Sequence, residues 1–231
     1  MKAPGIRTAI AGAFLLGLLH PTQAEAGGQR FEVTVTNLTR GQTFTPILVA
    51  SHQQGVRLFA LGQPASEPLE IVAEAGDTAP LAAALDSMPE VLDVTVANGV
   101  LPPGQSATLF VETRGHFDHL SVVAMLIPTN DGFFAVNGVE GPTGNKILRI
   151  LSPAYDAGTE ANDEQCAHIP GPPTICSGEG FNLSRDGAEG YVHIHGGIHG
   201  GASLQPSAAT GVIRWRRSQF AGSNRAELWP E

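Results

Sequence analysis

Short apolar segments that alternate with polar positions run along most of the chain. In "RFEVTVTNL", Phe31, Val33 and Val35 alternate with polar side chains, and this period of two predicts a strand with one buried face. "HLSVVAMLIP" is almost continuously apolar, as a central strand of a sandwich is expected to be. Segments of this kind predict about ten strands: "RFEVTVTNL", "TPILVASH", "VRLFALG", "EVLDVTVANG", "SATLFVET", "HLSVVAMLIP", "GFFAVNGV", "KILRIL", "GYVHIHGG" and "GVIRWRR".

Two segments carry helical signals instead. "SEPLEIVAEAG" has apolar residues at helical spacing and a stop at Gly76, and "GDTAPLAAALDSM" offers Asp77 or Thr78 as an N-cap with Pro80 in the first turn. Many short strands, frequent Gly and Pro turns and only one or two short helices predict an all-β antiparallel β-sandwich rather than a parallel α/β sheet.

The N terminus has the pattern of a targeting segment. Lys2 and Arg7 accompany the apolar run "TAIAGAFLLGLL", and "AEA" matches a small-x-small cleavage site. We expect a signal peptide over residues 1–26 and one β-sandwich domain over residues 27–231; the alternative is an uncleaved membrane anchor. The mature protein is then secreted or periplasmic and has no transmembrane segment after signal cleavage.

Charge and cysteine content narrow the function classes. The formal net charge is −9 and there is no basic block, so nucleic acid is not an expected partner, because phosphate binding needs clustered Lys and Arg. Cys166 and Cys176 are expected to form a disulfide in an oxidising compartment, and the alternative is a Cys/His metal site with His168. The bridge would pin the polar, Gly-rich segment 157–190, which predicts a long loop.

Acidic residues stand where three predicted strands end or turn. Glu112 closes "SATLFVE", Asp131 opens the turn in "PTNDG", and Asp156 follows "ILRILSPAY". If these ends meet at one edge, their carboxylates repel strongly unless a cation lies between them, and Ca²⁺ is the ion that prefers oxygen ligands. The alternative is that Asp131 is an Asx-turn residue and Asp156 an ordinary loop acid.

The segments "FEVTVTNLTRGQTFTPILVASHQQGVRLFALGQPAS", "GDTAPLAAAL", "SVVAMLIPTNDGFFAVNGV" and "YDAGT" together resemble the spondin N-terminal domain, and more narrowly its bacterial secreted single-domain members. The resemblance implies a C2-like β-sandwich with one calcium ion held by loops at one end. It implies that Asp131 and Asp156 are acidic ligands, with Glu112 as the third. It further implies a backbone carbonyl such as that of Ser152, and Glu160 as a ligand or as the partner of one.

The stretch "YVHIHGGIHGG" predicts a second site. His193 and His195 are two apart on a strand and therefore share a face, and His199 can fold back beyond the two glycines. Three converging imidazoles would suit zinc or copper, with His52, His116 or His119 as further members. The alternative is a polar strand face without a metal.

Nucleophile and phosphate-binding motifs such as G-x-S-x-G, H-E-x-x-H and the P-loop do not occur in the sequence, so we expect that the protein is not an enzyme. The favoured hypothesis is a secreted calcium-binding module for extracellular or cell-surface recognition or adhesion, with an unidentified extracellular protein or glycan surface as partner. The alternative is a metalloenzyme that uses His193, His195 and His199, with Asp118 and His119 in support. Oxygen-only coordination would favour the module, and an imidazole-bound metal with an open position would favour the enzyme.

Overall fold

The computed structural model describes residues 29–171 and 174–200, together with the backbone of a strand at 210–219. The expected signal peptide over residues 1–26 lies outside this part of the chain. The described elements are, in chain order, β1 (Gln29–Asn37), β2 (Thr43–Phe44), β3 (Leu48–His52), α1 (Glu67–Ala75), α2 (Ala79–Asp86), β4 (Val91–Val96), β5 (Ser106–Thr113), β6 (His119–Ile127), β7 (Gly132–Glu140), β8 (Ile147–Asp156), β9 (His193–Ile194) and β10 (Thr210–Gln219).

The strands form an antiparallel sheet that folds round on itself. Its order is β4-β3-β6-β7-β8-β10-β1-β5, with β2 paired to β6 and β9 paired to β8. The two outer strands of this order also lie against each other, since the Glu112 N–H donates to Asp93 Oδ2 at 2.7 Å and Thr95 Oγ1 donates to the Phe110 carbonyl at 3.1 Å. The expected all-β sandwich with two short helices is therefore confirmed.

One hydrophobic core fills the space between the two layers. In β1, Phe31, Val33 and Val35 are buried while the residues between them are half-exposed, as the period of two predicts. They pack with residues from the facing strands, among them Phe44, Val49, Leu109, Leu120, Val122 and Phe134.

A second core covers the outer face of β3, β6 and β7. There the helices α1 and α2 place Leu69, Val72 and Leu81 against Leu48 and Val123. The central strand β6 is consequently buried on both faces, which explains why its sequence is a nearly continuous apolar run.

The helix ends agree with their sequence signals. Gly76 ends α1 with a left-handed φ of 68°, and its N–H donates to the Val72 carbonyl at 3.0 Å. Before α2, the Asp77 carboxylate accepts a hydrogen bond from the Ala79 N–H at 2.9 Å, and Pro80 lies in the first turn.

The predicted strand "VRLFALG" is wrong, because residues 56–62 form a loop. This loop lies on the outer face of the sheet, where the Asn137 side chain accepts from the Leu58 N–H at 2.7 Å and donates to the Phe59 carbonyl at 2.8 Å. One asparagine thus satisfies the backbone that a strand partner would otherwise pair, while Phe59 packs edge-on against Phe133.

The segment 157–190 is irregular wherever it is described, as expected for a long loop. Cys166 and Cys176 form the predicted disulfide, so the alternative Cys/His metal site is wrong. The His168 imidazole contacts Asp163 instead, with 2.5 Å between Nδ1 and Oδ2.

Candidate metal centre

The structure brings Asp131 and Asp156 to the same edge of the sheet. Asp156 ends β8 and is the register partner of Gly132, which begins β7 directly after Asp131. Both carboxylates are buried, with exposed fractions of 0% for Asp131 and 1% for Asp156. Two buried acids therefore lie side by side where the sequence predicts a cation site.

Asp131 has one satisfied and one unsatisfied oxygen. Its Oδ2 accepts hydrogen bonds from the N–H groups of Thr159 at 2.7 Å and Glu160 at 3.1 Å, whereas its Oδ1 is buried and has no hydrogen-bond partner among the described residues. Burial and the neighbouring charge of Asp156 raise the pKa of Asp131 to about 6. A buried carboxylate oxygen without a donor is costly, and a cation would offset that cost.

The Asp156 carboxylate organises the turn that follows β8. Its Oδ1 accepts from the Gly158 N–H at 2.8 Å and its Oδ2 from the Asn162 amide at 2.7 Å. Burial raises the pKa of Asp156, although these hydrogen bonds oppose that shift. Gly158 has a φ of 67°, and a Cβ there would collide with the Tyr191 backbone, so this turn requires glycine.

His193 and Glu189 complete a compact group with Asp156. His193 in β9 is the register partner of Asp156, with 3.4 Å between its Nδ1 and Asp156 Oδ1. Donor atoms of Asp156, Glu189 and His193 all lie within 4.8 Å of one another. The Asn162 amide also donates to Glu189 Oε1 at 3.2 Å, which ties this acid to the group.

The three predicted imidazoles line one cleft, of about 240 Å³, together with Asp156 and Glu189; we call it the histidine cleft. His195 Nδ1 accepts from the Gly197 N–H at 2.8 Å, and burial lowers the pKa of His195, which favours the neutral ring. The His199 N–H donates to Glu164 Oε1 at 2.5 Å. The predicted acid site and the predicted histidine site are therefore neighbours in a single centre.

Glu112 does not join this centre, which corrects the expected convergence. In β5, Glu112 pairs with Arg30 near the start of β1. At the other end of β1, Asn37 pairs with Gly211 of β10, which pairs in turn with Ser152 near the end of β8. Glu112 and Asp156 consequently lie at opposite ends of the strands, because β5 ends beside the start of β1 and β8 ends beyond the end of β1. The Glu112 backbone instead pairs with Asp93.

Ser152 also lies away from the centre. It is four residues before Asp156 on the same strand, a distance of about 13 Å at the usual rise per residue. Its hydroxyl donates to the Ala135 carbonyl of β7 at 2.8 Å, so its environment is that of a sheet residue. The expected carbonyl ligand at Ser152 is not supplied by this geometry.

Glu160 contributes to the centre through its backbone. Its N–H donates to Asp131, while its side chain lines a neighbouring cleft, where Oε1 accepts from the Asn182 amide at 3.0 Å. The structure therefore places Glu160 as a partner of Asp131 and not as a side chain of the histidine cleft.

The other histidines lie at the far end of β6. His119 begins β6, pairs with His52 of β3 and Glu140 of β7, and contacts Asp118 with 2.9 Å between Nδ1 and Oδ1. His116 lines a separate cleft with this group. The expectation that these residues join or support the His193 cluster is wrong, since the strand β6 separates the two ends.

Glu189 is a residue that the sequence did not single out. It lies in the irregular segment before β9, where no period marks which side chains face inward. Its only local signal is its position shortly before the alternating histidines.

Comparison with protein families gives one result. The sequence model of the Spondin_N family matches residues 36–163, which is more than half of the chain. The matched segment includes Asp131 and Asp156 and ends before Glu189 and the histidines. A search of curated proteins found no match.

Proposed function

Because the chain belongs to the spondin N-terminal domain family, we propose that it is a secreted recognition module whose loop end is held in shape by one calcium ion. The family suggests an extracellular recognition module, and the disulfide between Cys166 and Cys176 fits an extracellular protein. Among the described residues, no helix is long and apolar enough to cross a membrane.

The observation that carries the proposal is the buried pair of Asp131 and Asp156, in which Asp131 Oδ1 has no hydrogen-bond partner among the described residues. Two ionised carboxylates in one buried site repel each other, and both have raised pKa values without a cation. These two residues would hold the ion, with Glu189 at the rim of the cleft, and oxygen ligands are those that Ca²⁺ prefers. The ion would supply positive charge and fasten the segment after β8 to the sheet.

The surface around this end has the character of a contact face. Leu61, Tyr191 and Ile194 are large side chains with exposed fractions of 57%, 44% and 51%. The Gly62 N–H donates to the Val192 carbonyl at 2.8 Å, so the loop that carries Leu61 lies beside the segment that carries the other two. Exposed aromatic and aliphatic residues in one region suit adhesion to an extracellular protein or to the apolar face of a glycan.

Thermal unfolding tests the calcium proposal. Calcium at about a hundredfold excess over its Kd should raise the Tm of the wild type by roughly 5–10 °C relative to EDTA. The shift should be clearly smaller in Asp131→Asn and in Asp156→Asn than in the wild type. Glu112→Gln is the matched control and should keep the full shift, because Glu112 lies at the other end of the sheet. An equal shift in Asp156→Asn would contradict the assignment.

A second candidate function rests on the mixed group Asp156, Glu189 and His193. Catalytic zinc sites use three protein ligands and keep one position open, and this group faces a cleft of about 240 Å³. The protein would then be a metalloenzyme. Metal analysis of protein purified without a nickel column, followed by cobalt substitution, separates the two functions. A d–d absorption band that His193→Ala abolishes would favour the enzyme, and its absence in the wild type would favour the calcium module.

A further inference from the structure

A second cleft lies beside the metal centre and shares Asn130 with the histidine cleft. It also measures about 240 Å³, and we call it the acidic cleft. Its walls carry the acids Glu160, Asp163, Glu179 and Asp186. Its described lining includes one imidazole, that of His168, and no lysine or arginine, so these negative charges are not balanced within the cleft.

A second buried carboxylate lies close to Glu160, which lines this cleft. Glu160 has an exposed fraction of 7% and Glu74, in α1, of 0%. Asn182 binds both, since its N–H donates to Glu74 Oε2 at 3.1 Å and its side-chain amide donates to Glu160 Oε1 at 3.0 Å. The remaining oxygens, Glu74 Oε1 and Glu160 Oε2, are buried and have no hydrogen-bond partner among the described residues.

The cationic side chain of Arg185 pairs with a different acid. Arg185 forms an ion pair with Glu70, one turn before Glu74 on α1. Burial, followed by the charge of Glu74, raises the pKa of Glu160 to about 9, and burial raises the pKa of Glu74 to about 7. Two buried carboxylate oxygens without a donor are costly, and either a proton or a bound cation would offset that cost.

We propose that Glu74 and Glu160 bind a second divalent cation of the hard, oxygen-seeking class, such as calcium, with Glu179 closing the site from the cleft wall. Apart from the His168 imidazole, whose Nδ1 contacts Asp163, the available donors are carboxylate, amide and hydroxyl oxygens, the last from Ser184. Such a set suits calcium and not zinc or copper, which favour imidazole or thiolate ligands. Two unsatisfied buried oxygens, one on Glu160 in the cleft wall and one on the neighbouring Glu74, distinguish this site from a solvated acidic surface.

The second ion would join three separate parts of the chain. Glu74 belongs to α1, Glu160 follows β8, and Glu179 lies beyond the disulfide. Binding would thus fasten the irregular segment to the helix, in parallel with the ion pair between Arg185 and Glu70.

Calcium stoichiometry tests the second site independently of the first. Equilibrium dialysis with radioactive calcium should give two equivalents for the wild type. The double variant Asp131→Asn/Asp156→Asn should keep one, and the further change Glu160→Gln should remove it. Glu160→Gln alone should also bind one, while the Glu112→Gln control should bind two.

The outcomes separate the two sites. If the wild type binds one equivalent that Glu160→Gln abolishes and the double variant keeps, the acidic cleft is the site and the proposed function loses its ion. If the double variant binds none, or if Glu160→Gln raises the Tm without changing the stoichiometry, the carboxylates share a proton and the second site is refuted.

A second variant guards against a folding defect in Glu160→Gln. Glu179 is exposed, so Glu179→Gln should fold normally, and loss of its charge should weaken the remaining calcium affinity of the double variant by about tenfold or more. If adding Glu179→Gln to the double variant leaves its calcium affinity unchanged, the site is also refuted.

Discussion

The histidine cleft and the acidic cleft lie on either side of Asn130 and differ in the ligands that they offer. The first combines the carboxylates of Asp156 and Glu189 with imidazoles, and the second offers oxygens around Glu160. A buried carboxylate oxygen without a partner among the described residues accompanies each cleft, that of Asp131 next to Asp156 of the first and that of Glu160 in the second, so the need for positive charge is common to them. What differs is the chemistry of the neighbouring side chains, and this decides which ion each cleft selects.

The two clefts also differ in how the fold builds them. The histidine cleft stands on the ends of β7, β8 and β9, whose register fixes Asp156 opposite His193. The acidic cleft joins α1 to the irregular segment that contains the disulfide. We therefore expect ion binding in the histidine cleft to survive changes in the disulfide-bridged part of the irregular segment. Ion binding in the acidic cleft should depend on that part of the chain.

The largest effect is expected from Gly158→Ala, which changes the turn that follows β8. An alanine there would have to adopt a left-handed backbone conformation, and its Cβ would collide with the Tyr191 backbone. The free energy of unfolding should therefore fall by about 3 kcal/mol. Gly190→Ala is the matched control, with a φ of 82° but open space around its Cβ, and should cost about 1 kcal/mol. Urea unfolding measures both, and equal losses would contradict the packing described for Gly158.

Removal of the disulfide is expected to act next. The variant Cys166→Ser/Cys176→Ser opens a loop with a sequence separation of 10 and should lose about 2–3 kcal/mol of stability. Calcium binding by the acidic cleft should weaken, while binding at Asp131 and Asp156 should persist. Dialysis on the two single-site backgrounds described above measures this, and equal losses at both sites would remove the distinction between a strand-built and a segment-built cleft.

The pH dependence should assign a separate window to each cleft. In EDTA, the raised pKa values of Asp131, Glu74 and Glu160 mean that the folded state binds more protons than the unfolded chain. Stability is therefore fully present below the ordinary carboxyl values and falls as pH rises through about 6, 7 and 9.

Melting curves at a series of pH values measure this decline. Asp131→Asn should flatten the acidic part of the curve, Glu160→Gln should flatten the alkaline part, and saturating calcium should suppress both. A Tm in EDTA that does not fall as pH rises over this range would contradict the raised pKa values of the buried acids.

The smallest effect is expected from Arg185→Gln. The Arg185 side chain is 45% exposed, so its ion pair with Glu70 is partly screened by water, but its loss leaves the buried Glu70 carboxylate without this partner and should cost about 1–2 kcal/mol. Calcium binding by the acidic cleft should tighten slightly, because a competing cation has left the vicinity of Glu74. Weaker binding would indicate that Arg185 positions the segment.

The sequence predicted what local patterns encode. Alternation marked β1, the continuous apolar run marked the doubly covered β6, and the turns "PTNDG" and "YDAGT" marked Asp131 and Asp156. Glu112 has a similar position at the end of a strand, but the pattern does not say to which edge of the sheet that end points.

Apart from Glu160, which the family resemblance singled out, the acids in and beside the acidic cleft carried no usable signal in the sequence. Glu70 and Glu74 are four apart on α1, a spacing typical of a solvated helix face, and they are buried only because the segment around Asn182 and Arg185 covers them. That segment lacks any period, so neither its path nor its contacts follow from local preferences. "VRLFALG" failed for a related reason, since its buried apolar residues pack on the sheet without pairing with it.

The position of β10 has a consequence for biosynthesis. This strand, the last one along the chain that the structure describes, lies between β1 and β8 and pairs with both. A ribosome delivers β1 long before β10, so the connection of β1 to β8 through β10 forms only when the later strand has emerged. Closure of the sandwich is therefore a late, non-local event, and refolding should be slow compared with that of domains built from sequence neighbours.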